Sequence, residues 1–149
     1  MRNKVIKIII SKSIEETRKL VKSWFASLNK SKNGATIVGF YGNLGSGKTA
    51  FSQAVAKELG IKENVTSPTF VIKKFYDTNH KKFKKLIHID AYRLNNGKEL
   101  ETLNFKELMS DKDNLILIEW IENVKEIIPS DHIKIYCEFV DETTREFRL

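Results

Sequence analysis

Apolar and polar positions along this chain come in blocks, and the period changes from one block to the next. "KVIKIII" (4–10) is a run of branched residues, the pattern of a first strand. Ser13 and Glu16 then form a capping box ahead of Ile14, Leu20, Val21, Trp24, Phe25 and Leu28, a spacing that keeps these six on one helical face directed at a core. Asn33 and Gly34 punctuate. "ATIVGFY" (35–41) reads as a buried strand, and "KTAFSQAVAKEL" (48–59) as a helix stopped by Gly60. Further on, "FVIKKFY" (70–76), "FKKLIHI" (83–89) and "NLILI" (114–118) predict strands, with a helix over "KELETLNFKELM" (98–109). The last segment, "HIKIYCEFV" (132–140), "DETT" and "REFRL" (145–149), alternates apolar and polar residues and predicts a hairpin that closes one edge of the sheet.

Connection lengths turn this order into a topology. The strands at 70–76 and 83–89 are joined only by Asp77 to Lys82, too short for a parallel crossover, so they form an antiparallel hairpin. The strand at 114–118 follows a helix and can lie parallel to the strand at 35–41 by a right-handed crossover. A chain of 149 residues suits one domain over 1–149, burying roughly two-thirds of its unfolded surface. The expected class is α/β: a central mixed, largely parallel sheet flanked by helices, with one hairpin after the second helix and another at the C-terminus.

Between the strand at 35–41 and the helix at 48–59 stands "GNLGSGKT", which concentrates three of the chain's seven glycines. Gly42, Asn43, Leu44, Gly45, Ser46, Gly47, Lys48 and Thr49, with Ala50 behind them, match the Walker A spacing of a phosphate-binding loop. Glycine lets successive N–H groups turn inward, and the following helix points its positive end at phosphate. Lys48 would then reach the β- and γ-phosphates of a nucleoside triphosphate, and the Thr49 hydroxyl would hold Mg²⁺. Two strand-end carboxylates compete as the second metal partner, Asp90 after "LIHI" and Glu119 after "LILI". The topology favours Glu119, whose strand can neighbour the loop strand. Asp90 lies at the end of a hairpin strand beside the start of its partner. Thr66, Ser67, Pro68 and Thr69 there form a switch-like loop suited to positioning Mg²⁺ or an attacking water.

Composition narrows the setting. The net charge of +7 arises from 26 basic and 19 acidic residues. Six lysines, Lys73, Lys74, Lys81, Lys82, Lys84 and Lys85, cluster in the hairpin, where they read either as a solvated face or as a surface for nucleic acid or an acidic partner. Aromatic stacking partners would make the second reading specific, but the nearby aromatics read as buried. The single cysteine, Cys137, allows no internal disulfide and reads as core on a strand, which fits a reducing cytoplasm. No apolar run approaches the ~20 residues of a membrane span, and the N-terminal segment lacks the features of a signal peptide.

"GNLGSGKT", "VTSPTF", "HIDAYRL" and "LIEW", in this order and spacing, resemble the TsaE family, small ATPases of bacterial threonylcarbamoyladenosine tRNA modification. The resemblance covers nearly the whole chain. It implies ATP and Mg²⁺ as cofactors, Thr49 and Glu119 as metal ligands, Lys48 and the loop backbone around the phosphates, and a requirement for Asp90 in hydrolysis. It also implies association with TsaB and TsaD proteins, which modify the adenosine next to the anticodon, with ATP hydrolysis resetting the complex and tRNA contacted at most indirectly. Two positions depart from the family pattern: Asn43 replaces the usual acidic residue, and Ile121 the usual proline.

Several neighbours keep two readings. Trp120 follows Glu119 and, by strand alternation, cannot share its face; its ring packs either on the active-site loops or in the core. Tyr92 and Arg93, just past Asp90, are open to the same choice, Arg93 as a transition-state cation or a structural ion-pair partner. His88 orients a neighbour or is a satisfied core histidine. Arg145 is placed near the nucleotide base only by family analogy. Rival functions are a small-molecule kinase, a GTPase and a non-hydrolytic ATP-dependent assembly module. The chain has only five arginines, scattered as Arg2, Arg18, Arg93, Arg145 and Arg148, unlike a kinase lid. It has no guanine-reading Asn-Lys-x-Asp string.

Overall fold

The computed structural model describes residues 6–43, 45–66 and 72–149. Leu44, Ser67, Pro68 and Thr69, each expected at the site, lie outside the described residues, as do Phe70 and Val71 of the expected hairpin strand.

Seven strands form one sheet in the order β1-β7-β6-β2-β5-β4-β3. They are β1 (Ile8–Ser11), β2 (Thr36–Tyr41), β3 (Lys73–Asp77), β4 (Lys85–Asp90), β5 (Asn114–Glu119), β6 (Ile133–Phe139) and β7 (Arg145–Arg148). The four central strands β6, β2, β5 and β4 run parallel. The flanking pairs β3/β4, β6/β7 and β1/β7 are antiparallel. The mixed, largely parallel sheet and the first hairpin are as expected. The C-terminal hairpin is not at the sheet edge, however: β1 pairs with β7 through Ile8↔Arg148 and takes the edge itself. That long-range pairing leaves Ile8 and Ile10 exposed on one face of β1.

Helices α1 (Ile14–Ala26) and α2 (Lys48–Glu58) cover one face. At the start of α1 the Ser13 side chain accepts from the Glu16 amide at 3.1 Å. The Glu16 carboxylate accepts in turn from the Lys12 amide at 2.6 Å, a capping box displaced by one residue. The buried side chains between these helices and the sheet include Val21, Phe25, Phe40, Phe51, Val55 and Phe147. Phe51, one turn into α2, lies 5.2 Å from the ring of Trp24, 5.4 Å from Phe40 and 5.6 Å from Phe147, contacts that fix the start of α2 against β2 and β7.

The opposite face carries α3 (Gly97–Glu101), α4 (Phe105–Ser110) and a 3₁₀ segment at Ile121–Ile127, packed on Ile87, Ile89, Ile116 and Ile118. The single helix expected over 98–109 is therefore two. Asn104 adopts a left-handed conformation, φ 60°, which breaks the helical run between Leu103 and Phe105. Among the described residues no helix is long and apolar enough to cross a membrane.

Cys137 is buried on β6. Burial pushes its thiol up to about 12 from the ordinary 9.0, against the pull of Lys48. A raised thiol pKa favours the folded state fully below pH 9.0, and that contribution is lost as the pH climbs toward about 12. The native protein is expected to resist iodoacetamide at pH 8 and to take up one equivalent at its single cysteine after denaturation. Native labelling at the denatured rate would show that β6 opens.

Candidate nucleotide and metal site

The carboxyl end of β2 runs into the glycine loop, whose backbone needs conformations that side chains rarely adopt. Gly42 has φ 150° and Gly47 φ 105°. A Cβ on Gly42 would come within 2.2 Å of the Cys137 carbonyl oxygen, so a larger residue there would force β2 and β6 apart. Gly47 is also the residue before α2, and it has no side chain with which to cap the helix. The first-turn amides of α2 are thus left for an anion. Ser46 Oγ is buried in the same loop and finds no hydrogen-bond partner. This donor-rich cradle without side-chain caps fits a phosphate chain.

Lys48, 5% exposed, opens α2. Its ammonium donates to the Gly42 carbonyl oxygen at 2.5 Å and stands 3.9 Å from the centroid of the Trp120 ring. Burial lowers the pKa of this amine, while Glu119, Glu122 and Asp90 among its neighbours oppose the shift. Thr49 Oγ1 donates to Glu119 Oε1 at 3.3 Å. Glu119 ends β5, which lies beside β2 in parallel register, with Phe40 opposite Glu119 itself. The hydroxyl and the carboxylate therefore meet as the topology predicted. The other carboxylate oxygen, Oε2, lies 2.7 Å from His88 Nε2. An ionised carboxylate only accepts, so Nε2 carries the proton; His88 Nδ1 is buried without a partner. His88 is thus both a core histidine and the residue that orients Glu119, a pairing of β4 with β5 that the one-dimensional pattern left open.

Asp90 and Glu119 are register partners on adjacent parallel strands. Asp90 Oδ1 accepts from the Tyr92 amide at 2.9 Å. Gly45 to Ala50, Asp90, Tyr92, Glu119 and Trp120 line one cavity of 480 Å³. Trp120 corrects the expectation from alternation. Its φ of 59° takes it out of strand geometry, so the indole swings to the Lys48 side of Glu119 and packs 5.1 Å from the Tyr92 ring.

Other candidates lie apart. Thr66 Oγ1 accepts from Lys74 Nζ at 3.0 Å and does not line the cavity. Arg93 is exposed outside it. Asn43 accepts from the Ser46 amide through its backbone oxygen at 3.1 Å, and its exposed side chain faces a separate groove with Tyr41 and Tyr136. Arg145 reaches the edge of the loop. Its Cγ would lie 3.4 Å from a Cβ on Gly47, while its guanidinium donates to the carbonyl oxygens of Asp141 and Thr144 at 2.5 and 2.9 Å. A larger cleft of 690 Å³ between α1 and α2 carries Arg18, Lys57 and Lys62 over an apolar floor but no glycine loop, so volume alone does not mark the site.

Among the described residues no group of three or more His, Cys, Asp or Glu side chains forms a ready-made metal cage. Thr49 and Glu119 offer one hydroxyl and one carboxylate, the sparse donor set of a Mg²⁺ site completed by phosphate oxygens and water.

A strand, a glycine loop and the bare N-terminus of a helix, facing a carboxylate on the neighbouring parallel strand, define the P-loop class. Within it, this chain belongs to the TsaE family: the family model described as "Threonylcarbamoyl adenosine biosynthesis protein TsaE" matches residues 11–147. A Rickettsia felis protein named tRNA threonylcarbamoyladenosine biosynthesis protein TsaE is 36% identical over 139 residues, covering 93% of this chain and 76% of its own. One of the same name from Aquifex aeolicus is 35% identical over 147 residues, covering 97% and 96%. The crystal structure of Bacillus subtilis YdiB superposes with a TM-score of 0.73 at 26% identity, over 98% of this chain and 86% of that one.

Proposed function

We propose that this chain is a Mg²⁺-dependent ATPase of threonylcarbamoyladenosine tRNA modification, acting in the cytoplasm with TsaB and TsaD proteins to reset the modification complex. The observation that carries the reading is the contact of Thr49 with Glu119 at 3.3 Å, directly beside the Lys48 ammonium, at the uncapped start of α2. ATP supplies the phosphoanhydride, and Mg²⁺ the positive charge that offsets its oxygens. The chain's own residues bind and orient. Loop amides and Lys48 provide fixed positive charge in a partly dry site, where it acts more strongly than in water. Thr49 and Glu119 hold the metal, His88 holds Glu119, and Asp90 stands where a carboxylate can orient a water. Thr66, Ser67, Pro68 and Thr69 retain their proposed role as a switch, and Tyr92, Arg93, Trp120 and Arg145 as accessories to the site. Five scattered arginines, in place of the several that a phosphate-transferring lid uses, favour hydrolysis over transfer to a second substrate.

Phosphate release measured alone and with TsaB and TsaD tests the reading. Slow release by the isolated chain, raised by the partners together, is the expected result. Phosphate transfer to a small acceptor without partners would replace the ATPase by a kinase. Nucleotide binding and complex formation without any hydrolysis would leave an assembly module.

A further inference from the structure

The lysine-rich hairpin lies at the end of the sheet farthest from β1, where β3 has no strand beyond it among the described residues. Lysines on an edge strand are a common device against sheet-to-sheet pairing, and they need no ligand. The same edge carries a residue that serves no such purpose. Phe75, at the middle of β3 opposite Ile87, is 46% exposed, which corrects the expectation of burial at this one hairpin aromatic. Its neighbour Tyr76, and Phe83 after the turn, are buried in the core. Two ammonium groups flank the open ring: Lys73 Nζ lies 5.4 Å and Lys85 Nζ 5.9 Å from its centroid. Lys73 is held there by the Leu103 carbonyl oxygen. Asp77 partners Lys85 at 4.0 Å, too far and too exposed to neutralise it. Lys81 and Lys84 are exposed further along the hairpin. At the hairpin turn the His80 imidazole is held below its ordinary pKa first by burial and then by Lys82, with Glu58 opposing and Lys81 and Lys84 adding.

We propose that the β3–β4 hairpin is a contact surface for single-stranded RNA, on which Phe75 stacks an unpaired base while Lys73, Lys85, Lys81 and Lys84 meet the flanking phosphates. A flat aromatic face beside fixed cations is the chemistry of a sequence-tolerant stacking platform. A duplex offers such a ring no free base face, and an acidic protein surface would use the ammonium groups but leave the ring idle. The inference rests on the tRNA reading above in supplying the RNA, but its test does not pass through ATP.

Fluorescence anisotropy with a labelled, unstructured adenine-rich 12-nucleotide RNA, and with a duplex RNA of equal length, reads the proposal at two salt concentrations. Wild type is expected to bind the single strand more tightly than the duplex. Phe75→Ala should weaken single-strand binding about tenfold and leave duplex binding unchanged, while Phe75→Tyr restores it. The double variant Lys81→Ala/Lys84→Ala should weaken both RNAs and lower the single-strand salt slope by about 1.4. All three variants should release phosphate with TsaB and TsaD as wild type does, because none of these side chains lines the nucleotide cavity. Equal binding of the single strand by wild type and Phe75→Ala overturns the proposal. So does a loss of TsaB and TsaD association in the hairpin variants with RNA binding intact, which would identify an acidic protein surface as the occupant. Failure of phosphate release in wild type, with RNA binding as expected, would count against the ATPase reading alone.

Discussion

Lys48→Ala is expected to lower ATP hydrolysis by about two to three orders of magnitude, the usual cost of removing one preorganised donor from a reacting oxygen. The side chain is almost fully buried, yet its carbon stem crosses the site rather than the core, and its ammonium is held by the Gly42 carbonyl oxygen and the Trp120 ring. The position is therefore fixed before any nucleotide arrives. Burial lowers the pKa of this ammonium, and Glu119, Glu122 and Asp90 among its neighbours oppose that shift. Truncation removes that cation and leaves one carbonyl oxygen short of a donor, a loss of about 1 kcal/mol to stability. Phe51 and its ring contacts continue to seat α2. Activity should thus collapse while the thermal midpoint moves little, and ATP affinity should fall together with turnover. A Lys48→Ala protein that releases phosphate within twofold of wild type would show that the loop lysine is not part of the chemistry.

The parts of this site that could be read from the sequence are those coded locally. Gly42, Gly47, Lys48 and Thr49 stand at fixed spacing in one loop, and their φ requirements and donor groups are properties of the residues themselves. The neighbourhood of β2 and β5, and with it the choice of Glu119, followed from connection length, which is also local information. What escaped was information carried by three dimensions or by one exceptional dihedral. Trp120 sits across the site because its φ is 59°, where the alternation of a regular strand would have sent it away. Asn104 splits a helix whose apolar spacing runs on past it. β1 takes the edge beside β7 through a pairing across nearly the entire chain, for which no short stretch carries a signal. The bond from His88 to Glu119 depends on the register of β4 against β5, and the exposure of Phe75 on β3 having no strand beyond it among the described residues.

Glu119→Ala should cost more Mg²⁺-dependent ATP affinity than Asp90→Ala, and this comparison decides which strand carries the metal carboxylate. Both residues are similarly buried at the ends of adjacent strands, so burial does not distinguish them. Their partners do. Glu119 meets the Thr49 hydroxyl at 3.3 Å and is aimed by His88 at 2.7 Å, whereas one Asp90 oxygen is engaged by the Tyr92 amide at 2.9 Å, two residues ahead. Removing a carboxylate ligand should cut the ratio of ATP affinity with Mg²⁺ to that with chelator by at least about tenfold, since even loss of an orienting partner costs 10–100-fold in metal affinity. Glu119→Ala also strands the buried His88 N–H, a penalty of about 1–3 kcal/mol that will lower the melting point. Glu119→Gln separates the two effects: its amide oxygen can still accept from His88, so the fold is kept while the charge is gone. The glutamine variant is expected to lose the Mg²⁺ dependence without the drop in stability, and His88→Ala to weaken metal dependence through a carboxylate left unaimed. Asp90→Ala should instead keep most of the Mg²⁺-dependent affinity and lose turnover, because the role proposed for Asp90 is to orient water rather than to hold the metal. If Asp90→Ala loses the metal dependence and Glu119→Gln retains it, the metal carboxylate is on β4, and the pairing of Thr49 with Glu119 is only a hydrogen bond between neighbouring elements.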